Sequence, residues 1–321
     1  MAASARPRRS VLYMPGSNAR ALDKARSLPA DGLILDLEDA VAPDAKATAR
    51  QQIVEHVRAG GYGRRELILR VNGWSTPWGF EDLVAAATSG VDAVLLPKVE
   101  SADAVRLAEQ VLVAHGAPDS LAIWTMMETP RGILHAEEIA DSTPRMAAFV
   151  MGTSDLAKDL HCAHTPMRLP MITSLGLCML AGRAAGLAVL DGVYLDLNDD
   201  EGFAASCRQG AELGFDGKTL IHPKTVGAAN DAGEPDGQFT MLGQRVWAVQ
   251  SHAGRLYYSL WVEDTGRKNA VESNAIWSVG YKDETGVIDP ATAKLEFLLP
   301  AYNNQPYSNP VSDISFAATG W

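Results

Sequence analysis

The residues best suited to chemistry in this chain are carboxylates that close apolar runs. "LILDLEDAV", Leu33 to Val41, sets Asp36, Glu38 and Asp39 within four positions. Grouped carboxylates repel one another and cost free energy to desolvate, so a nearby cation is their natural partner. Glu128 closes "IWTMM", and Asp155 follows "FVMGTS". Two carboxylates converging from neighbouring strand ends suit a hard divalent cation that keeps several waters, typically Mg²⁺, with Mn²⁺ as the alternative ion. Ordinary readings stand beside these. Asp155 in "TSDLAKDL" also reads as the capping start of a helix, and the early trio as a surface turn. Glu128, followed by Thr129-Pro130-Arg131, has no capping task.

These residues need elements to position them. Short apolar runs recur at roughly 30-residue intervals, the length of one strand-plus-helix unit. They are "SVLYM" (10–14), "GLILDL" (32–37), "ELILRV" (66–71), "DAVLLP" (92–97), "LAIWTMM" (121–127), "AAFVMG" (147–152), "DGVYLDL" (191–197) and "GKTLIHP" (217–223). Stretches with helical spacing, such as "ADAVRLAEQVLVAHG", lie between them. Continuous rather than alternating runs fit a parallel sheet covered on both faces, and eight units favour an α/β fold of the (β/α)₈ TIM barrel type. Functional groups of such a barrel gather at the C-terminal strand ends. There the sequence sets Pro15 to Asn18 with Arg20, Asp36/Glu38/Asp39, Arg70 with Asn72, Lys98 with Glu100, Glu128, Asp155, Asp196 and His222. Singly, each could be a solvated loop residue; their recurrence at one rim is the signal.

The 321 residues, 47% hydrophobic, can bury a full core, and the formal net charge of -11 argues against a nucleic-acid partner. A local basic spot for a phosphorylated or CoA-type ligand stays open. Three scattered cysteines without CxxC predict a reducing cytoplasm, and no apolar run predicts a membrane span. "GGYGRR" (60–65) precedes a strand instead of joining strand to helix, which argues against a phosphate loop. "HCAH" (161–164) offers no second ligand pair and reads as a loop, while Met126-Met127 reads as core.

The segments "RSVLYMPGSNARALDKARSLPADGLILDLEDAVAPDAKATAR", "LILRVNG", "VDAVLLPKVES", "METPRGIL", "GTSDLAKDL" and "DGKTLIHP" resemble the citrate lyase β-subunit-like CoA-ester lyases of the HpcH/HpaI aldolase/citrate lyase superfamily, in order, over about residues 8–230. The resemblance implies a barrel that makes or breaks C–C bonds beside the thioester of a citryl-, malyl- or citramalyl-CoA-like substrate, giving a keto acid and a shorter acyl-CoA. It makes Glu128 and Asp155 the Mg²⁺ ligands and Arg70 a clamp on the substrate carboxylate, helped by backbone N–H groups of Gly152, Thr153 and Ser154. Arg20, Lys98 and His222 become CoA contacts, with Lys24 better left as surface. Asp36, Glu38 and Asp39 would support the metal's waters or pair with Lys46 and Arg20. Acyl-CoA and small keto or hydroxy acids are the implied partners, with a homo-oligomer, trimer or hexamer. A hydroxyacyl-CoA thioesterase is the alternative chemistry, and a catalytically impaired CoA-ester-binding scaffold the alternative of another class.

The resemblance ends before the chain does. A barrel of residues 1–231 is expected to give way to a β-rich extension, residues 232–321, in place of the usual last helix and lid. That tail holds four of the seven tryptophans and five of the eight tyrosines. Its alternating segments are broken by "HAGR", "DETG" and "DPAT", and "PVSDISFAATGW" looks like the start of a further propeller-like strand set. No helix is evident after "LIHPKTV", and no counterpart appears of the catalytic aspartate that the resemblance implies for the lid. The tail is either an added β module or the product of two joined reading frames; the abrupt stop of strand alternation at Trp321 favours the second.

Overall fold

The computed structural model describes residues 7–231, 245–252, 255–261, 275–282 and 288–298. Eight parallel strands close a barrel in sequence order: β1 (Ser10–Pro15), β2 (Gly32–Asp36), β3 (Glu66–Arg70), β4 (Ala93–Leu96), β5 (Ala122–Met127), β6 (Met146–Met151), β7 (Ala188–Asp191) and β8 (Gly217–Leu220). Helices α1 (Ala19–Ala25), α2 (Lys46–Ala59), α3 (Gly79–Ser89), α4 (Ala102–Ala114), α5 (Pro130–Leu134), α6 (Ala136–Ala140), α7 (Thr153–Asp159), α8 (Ile172–Ala184), α9 (Asp200–Glu212) and α10 (Val226–Asp231) follow the strands. No helix among the described residues is long and apolar enough to cross a membrane.

Strand side chains alternate between two layers. Val11, Ile34, Ile68, Leu95, Trp124, Met126, Val150 and Leu190 fill the barrel interior. Leu12, Leu33, Leu35, Leu69, Val94 and Phe149 face outward into the sheet–helix core. Each fully buried aliphatic side chain there contributes about 1.5–3 kcal/mol. Alternation carries the inward series up to the rim, where Tyr13, Asp36 and Arg70 follow Val11, Ile34 and Ile68.

Two elements differ from the sequence reading. The seventh strand is the run "AVLD" ending at Asp191, not "DGVYLDL"; Asp196 lies in the loop beyond it. "DGVYLDL" has the stronger β composition, but Gly186, at φ 72°, ends α8 early enough for the shorter run to pair with β6 and β8. A helix also follows "LIHPKTV". It is α10, short and glycine-containing, yet it buries Val226 and Ala229 and packs against β1, β8 and α9.

The chain divides into two compact units, Met1–Gly233 and Glu234–Trp321. In the second, β9 (Arg245–His252), β10 (Arg255–Trp261), β11 (Ala275–Tyr281) and β12 (Ile288–Leu298) form an antiparallel sheet of order β12-β11-β10-β9. Buried Ser278 receives Arg255 Nε at 2.9 Å and donates to Glu296 Oε1 at 2.6 Å. "DPAT" is no turn: it lies inside β12, where the register against β11 shifts between Ser278 and Gly280. "DETG" and "PVSDISFAATGW" lie outside the described residues, as does the centre of "HAGR".

Candidate active site

Asp36 and Arg70 are register partners on β2 and β3. Arg70 forks onto Asp36, with Nε–Oδ1 and Nη2–Oδ2 both 2.7 Å. The same two carboxylate oxygens accept the N–H groups of Glu38 (2.8 Å) and Ala40 (3.1 Å). Four donors saturate Asp36, so it anchors Arg70 rather than serving metal-bound water. Arg70 Nη1 turns to Glu38 Oε2 at 2.9 Å and to the exposed Asp39 at 3.2 Å, while the guanidinium carbon stands 4.8 Å over the Tyr13 ring. Burial works against the Arg70 charge, but the hydrogen bonds and charge of Asp36 outweigh it and hold the guanidinium protonated. Burial of the Tyr13 phenol pushes its ionisation up in turn.

The expected pairing of these carboxylates with Lys46 and Arg20 is not what forms. Lys46 Nζ donates to the backbone carbonyls of Leu37 (2.7 Å) and Glu38 (2.6 Å), tying down the loop that carries the acids. Arg20 is exposed near the start of α1, and Lys24 is exposed in its last turn. The acids pair with Arg70 and Lys98 instead.

Lys98 follows β4 with φ 49°, a left-handed conformation that costs a residue with a side chain about 1–2 kcal/mol. In that conformation its N–H donates to Glu128 Oε1 at 2.8 Å. Its ammonium lies 3.2 Å from Asp155 Oδ2, 3.3 Å from Glu38 Oε1 and 3.9 Å from Glu128 Oε1. Burial opposes the Lys98 charge, and the carboxylates overcome it. Glu128 is 2% exposed, and burial raises its carboxyl from the usual 4.5 to about 7, with Lys98 pulling the other way. Burial likewise pushes Glu38 up.

Glu128 has room only because residue 152 is glycine: a Cβ there would collide with Cβ and Oε2 of Glu128. Gly152→Ala is expected to cost about 1–3 kcal/mol through overpacking, seen as a lower urea midpoint at unchanged m-value. The Gly152 N–H is committed to Met127 O at 3.2 Å, so of the "GTS" turn only Thr153 and Ser154, opening α7, have N–H groups to offer a ligand. Asp155 sits in the first turn of α7 but does not cap it. His222 Nδ1 accepts the Lys224 N–H at 3.1 Å and so caps a 3₁₀ turn at Pro223–Thr225. His164, in the "HCAH" loop, stands 3.3 Å from Thr153 Oγ1.

Sequence reasoning missed a second ionic cluster. Asp191, 1% exposed at the end of β7, accepts from Lys218 Nζ at 2.7 Å and from Gly192 N at 2.8 Å, and pairs closely with Arg168 Nη1. Arg168 Nε donates to Gln209 Oε1 at 2.8 Å, which fastens the loop after α7 to α9. The signal that found Asp36, a carboxylate closing an apolar run, is present in "LAVLD".

Around the rim, five carboxylates (Asp36, Glu38, Asp39, Glu128, Asp155) meet two cations (Arg70, Lys98), a deficit of three positive charges. The donors are all oxygen, and Glu128 sits unusually deep for a carboxylate. This set fits a hard divalent cation held by Glu128 and Asp155. Among the described residues no group of three or more His, Cys, Asp or Glu is arranged as a metal site, so water and substrate would complete the coordination.

The family model for HpcH/HpaI aldolase/citrate lyase matches residues 9–223. A protein of Cereibacter sphaeroides named (3S)-malyl-CoA thioesterase is 49% identical over 255 residues, covering 79% of this chain and 87% of that one. That share exceeds what residues 1–231 of 321 could supply, so the similarity runs on past Asp231. An L-malyl-CoA/beta-methylmalyl-CoA lyase of the same species is 35% identical, covering 72% of this chain and 80% of its own length. Among solved structures, CitE of Mycobacterium tuberculosis in complex with magnesium, acetoacetate and coenzyme A aligns with a TM-score of 0.60 at 29% identity, covering 73% of this chain and 82% of that one. The chain belongs to the HpcH/HpaI aldolase/citrate lyase family.

Proposed function

We propose that the protein hydrolyses the thioester of a short hydroxyacyl-CoA of the malyl-CoA type, with Mg²⁺ as cofactor. The observation that carries this reading is the convergence of Glu128 and Asp155 on one cation position beside an anchored arginine. The 49% identity to a malyl-CoA thioesterase, against 35% to a malyl-CoA lyase, favours hydrolysis over C–C cleavage.

Glu128 and Asp155 would hold the ion, which when bound supplies Lewis-acid polarisation of a ligand oxygen. Arg70 cannot swing, because Asp36 fixes two of its nitrogens; its Nη1 edge would take the substrate carboxylate in place of the exposed Asp39. Thr153 and Ser154 N–H groups would share that carboxylate. Arg20 and Lys98 would meet CoA phosphates at the mouth, and His222 would offer its Nε2 there. Water adds to the thioester carbonyl, the C–S bond breaks, and the thiolate of CoA takes a proton. A homo-oligomer remains part of the proposal.

A second reading, C–C cleavage to a keto acid and a shorter acyl-CoA, is favoured by the family name and by the lyases at 33–35% identity. Mass spectrometry of products from malyl-, citramalyl- and citryl-CoA decides between them. Chelator-sensitive release of intact hydroxy acid and free CoA, lost in Glu128→Ala, is the expected result. Keto acid with acetyl-CoA would establish the lyase instead. Binding of the CoA esters with no turnover would leave a scaffold.

A further inference from the structure

Lys98 is built into the site more deeply than a phosphate contact requires. Its main chain and its side chain address the same carboxylate, Glu128: the N–H at 2.8 Å and the ammonium at 3.9 Å, both on Oε1. The ammonium also lies 3.2 Å from Asp155 Oδ2. It therefore rests on both carboxylates assigned above to the divalent ion. An Mg²⁺–oxygen bond of about 2.1 Å to the same Asp155 oxygen would leave two positive centres only a few ångströms apart. At that range their repulsion is large even near the protein surface, so the ammonium must withdraw. It has somewhere to go. The Lys98 side chain is half-exposed at the mouth and keeps a third partner, Glu38 Oε1, at 3.3 Å on the side of Arg70.

We propose that Lys98 is a displaceable ammonium that couples metal binding to ligand binding. Binding of a divalent cation at Glu128 and Asp155 drives Nζ off both carboxylates, and the released ammonium then takes an anionic group of the acyl-CoA. Metal and anion thus tighten each other's binding through one side chain, a linkage that must be reciprocal. Lys46, the buried lysine near these acids, cannot play this part, because its ammonium is spent on the carbonyls of Leu37 and Glu38. The inference rests on the reading of Glu128 and Asp155 as metal ligands.

The test uses binding rather than turnover. Mn²⁺ affinity is read by electron paramagnetic resonance, and coenzyme A affinity by calorimetry with and without saturating Mn²⁺. Lys98→Met, which keeps the aliphatic stem, is expected to bind Mn²⁺ about tenfold more tightly than wild type once the competing charge is gone. Lys98→Arg keeps the charge and is expected to stay within about twofold of wild type on the same argument. In wild type, saturating Mn²⁺ tightens coenzyme A binding severalfold; in Lys98→Met it does not. Cooperative melts confirm that each variant is folded, and the wild-type coupling stands as a test if Lys98→Met fails to fold. Equal Mn²⁺ affinity in wild type and Lys98→Met, or coenzyme A binding in wild type indifferent to Mn²⁺, overturns the coupling and leaves the metal site standing. Absence of Mn²⁺ binding from wild type and Lys98→Met alike overturns both.

Discussion

Glu128→Gln is expected to leave a folded barrel that has lost metal-dependent turnover by about 10³-fold, the equivalent of roughly 4 kcal/mol of Lewis-acid stabilisation. The amide keeps the shape of the carboxylate and can still accept the Lys98 N–H, so the strand ends stay in place. What it removes is charge, and charge is what a hard cation requires. The fold itself should gain in metal-free buffer. Glu128 titrates at about 7 in the folded protein against 4.5 ordinarily, because burial disfavours its ionised form. A raised carboxyl gives stability that is complete below pH 4.5 and is lost as pH rises through 7. Wild type in chelator should therefore lose stability relative to Glu128→Gln across that window and no further above it. Parallel urea melts at a series of pH values read this difference, since groups remote from Glu128 titrate alike in both proteins. A Glu128→Gln protein with full Mg²⁺-dependent turnover would remove Glu128 from the metal site.

Asp191→Ala has the largest expected effect on stability, a loss of about 3–5 kcal/mol, because Arg168 and Lys218 are then left as buried charges without their counterion. Both partners are nearly as enclosed as the aspartate, with side chains only 5% exposed. For a unit of this size the melting temperature should fall by roughly 6–20 °C. The double variant Asp191→Leu/Lys218→Met distinguishes a missing partner from a missing contact. It removes one charge from each side and should recover part of the loss. The comparison also bears on the loop between α7 and α8, since Arg168 fastens it while pairing with Asp191. A neutral Asp191→Ala would mean that water reaches the cluster and solvates the cations.

The barrel was legible because parallel strands covered on both faces must be continuous apolar runs, and seven of the eight were placed by that rule. The seventh failed where two candidate runs stand close together. Composition preferred the β-branched and aromatic "DGVYLDL", but the chain pairs "AVLD", and only the pairing with β6 and β8 decides. With the strand went its terminal acid: Asp191 was hidden behind the exposed Asp196. The rim acids show a different limit. Asp36, Glu38 and Asp39 look interchangeable in sequence, yet one is a saturated anchor, one a half-buried carboxylate between two cations, and one an exposed contact. Inward or outward direction within three residues is set by strand register, which sequence spacing does not fix across different strands. Lys46 was readable as a cation near the acids but not as a donor to carbonyls, because main-chain acceptors leave no mark in the sequence. Helix α10 escaped because it is only six residues long and sets Val, Gly, Asn and Asp around its two alanines.

The fork between Asp36 and Arg70 makes the site a proofreader of its own scaffold. The two residues meet because β2 and β3 pair in one register, with Ile34 beside Ile68 one layer below. A slip of one position would send either side chain to the opposite face of its strand and strand a guanidinium or a carboxylate in an apolar layer. Misregistered barrels are thereby penalised by the very groups that would make a correct one active. A chain that reaches the closed barrel has already aimed its arginine.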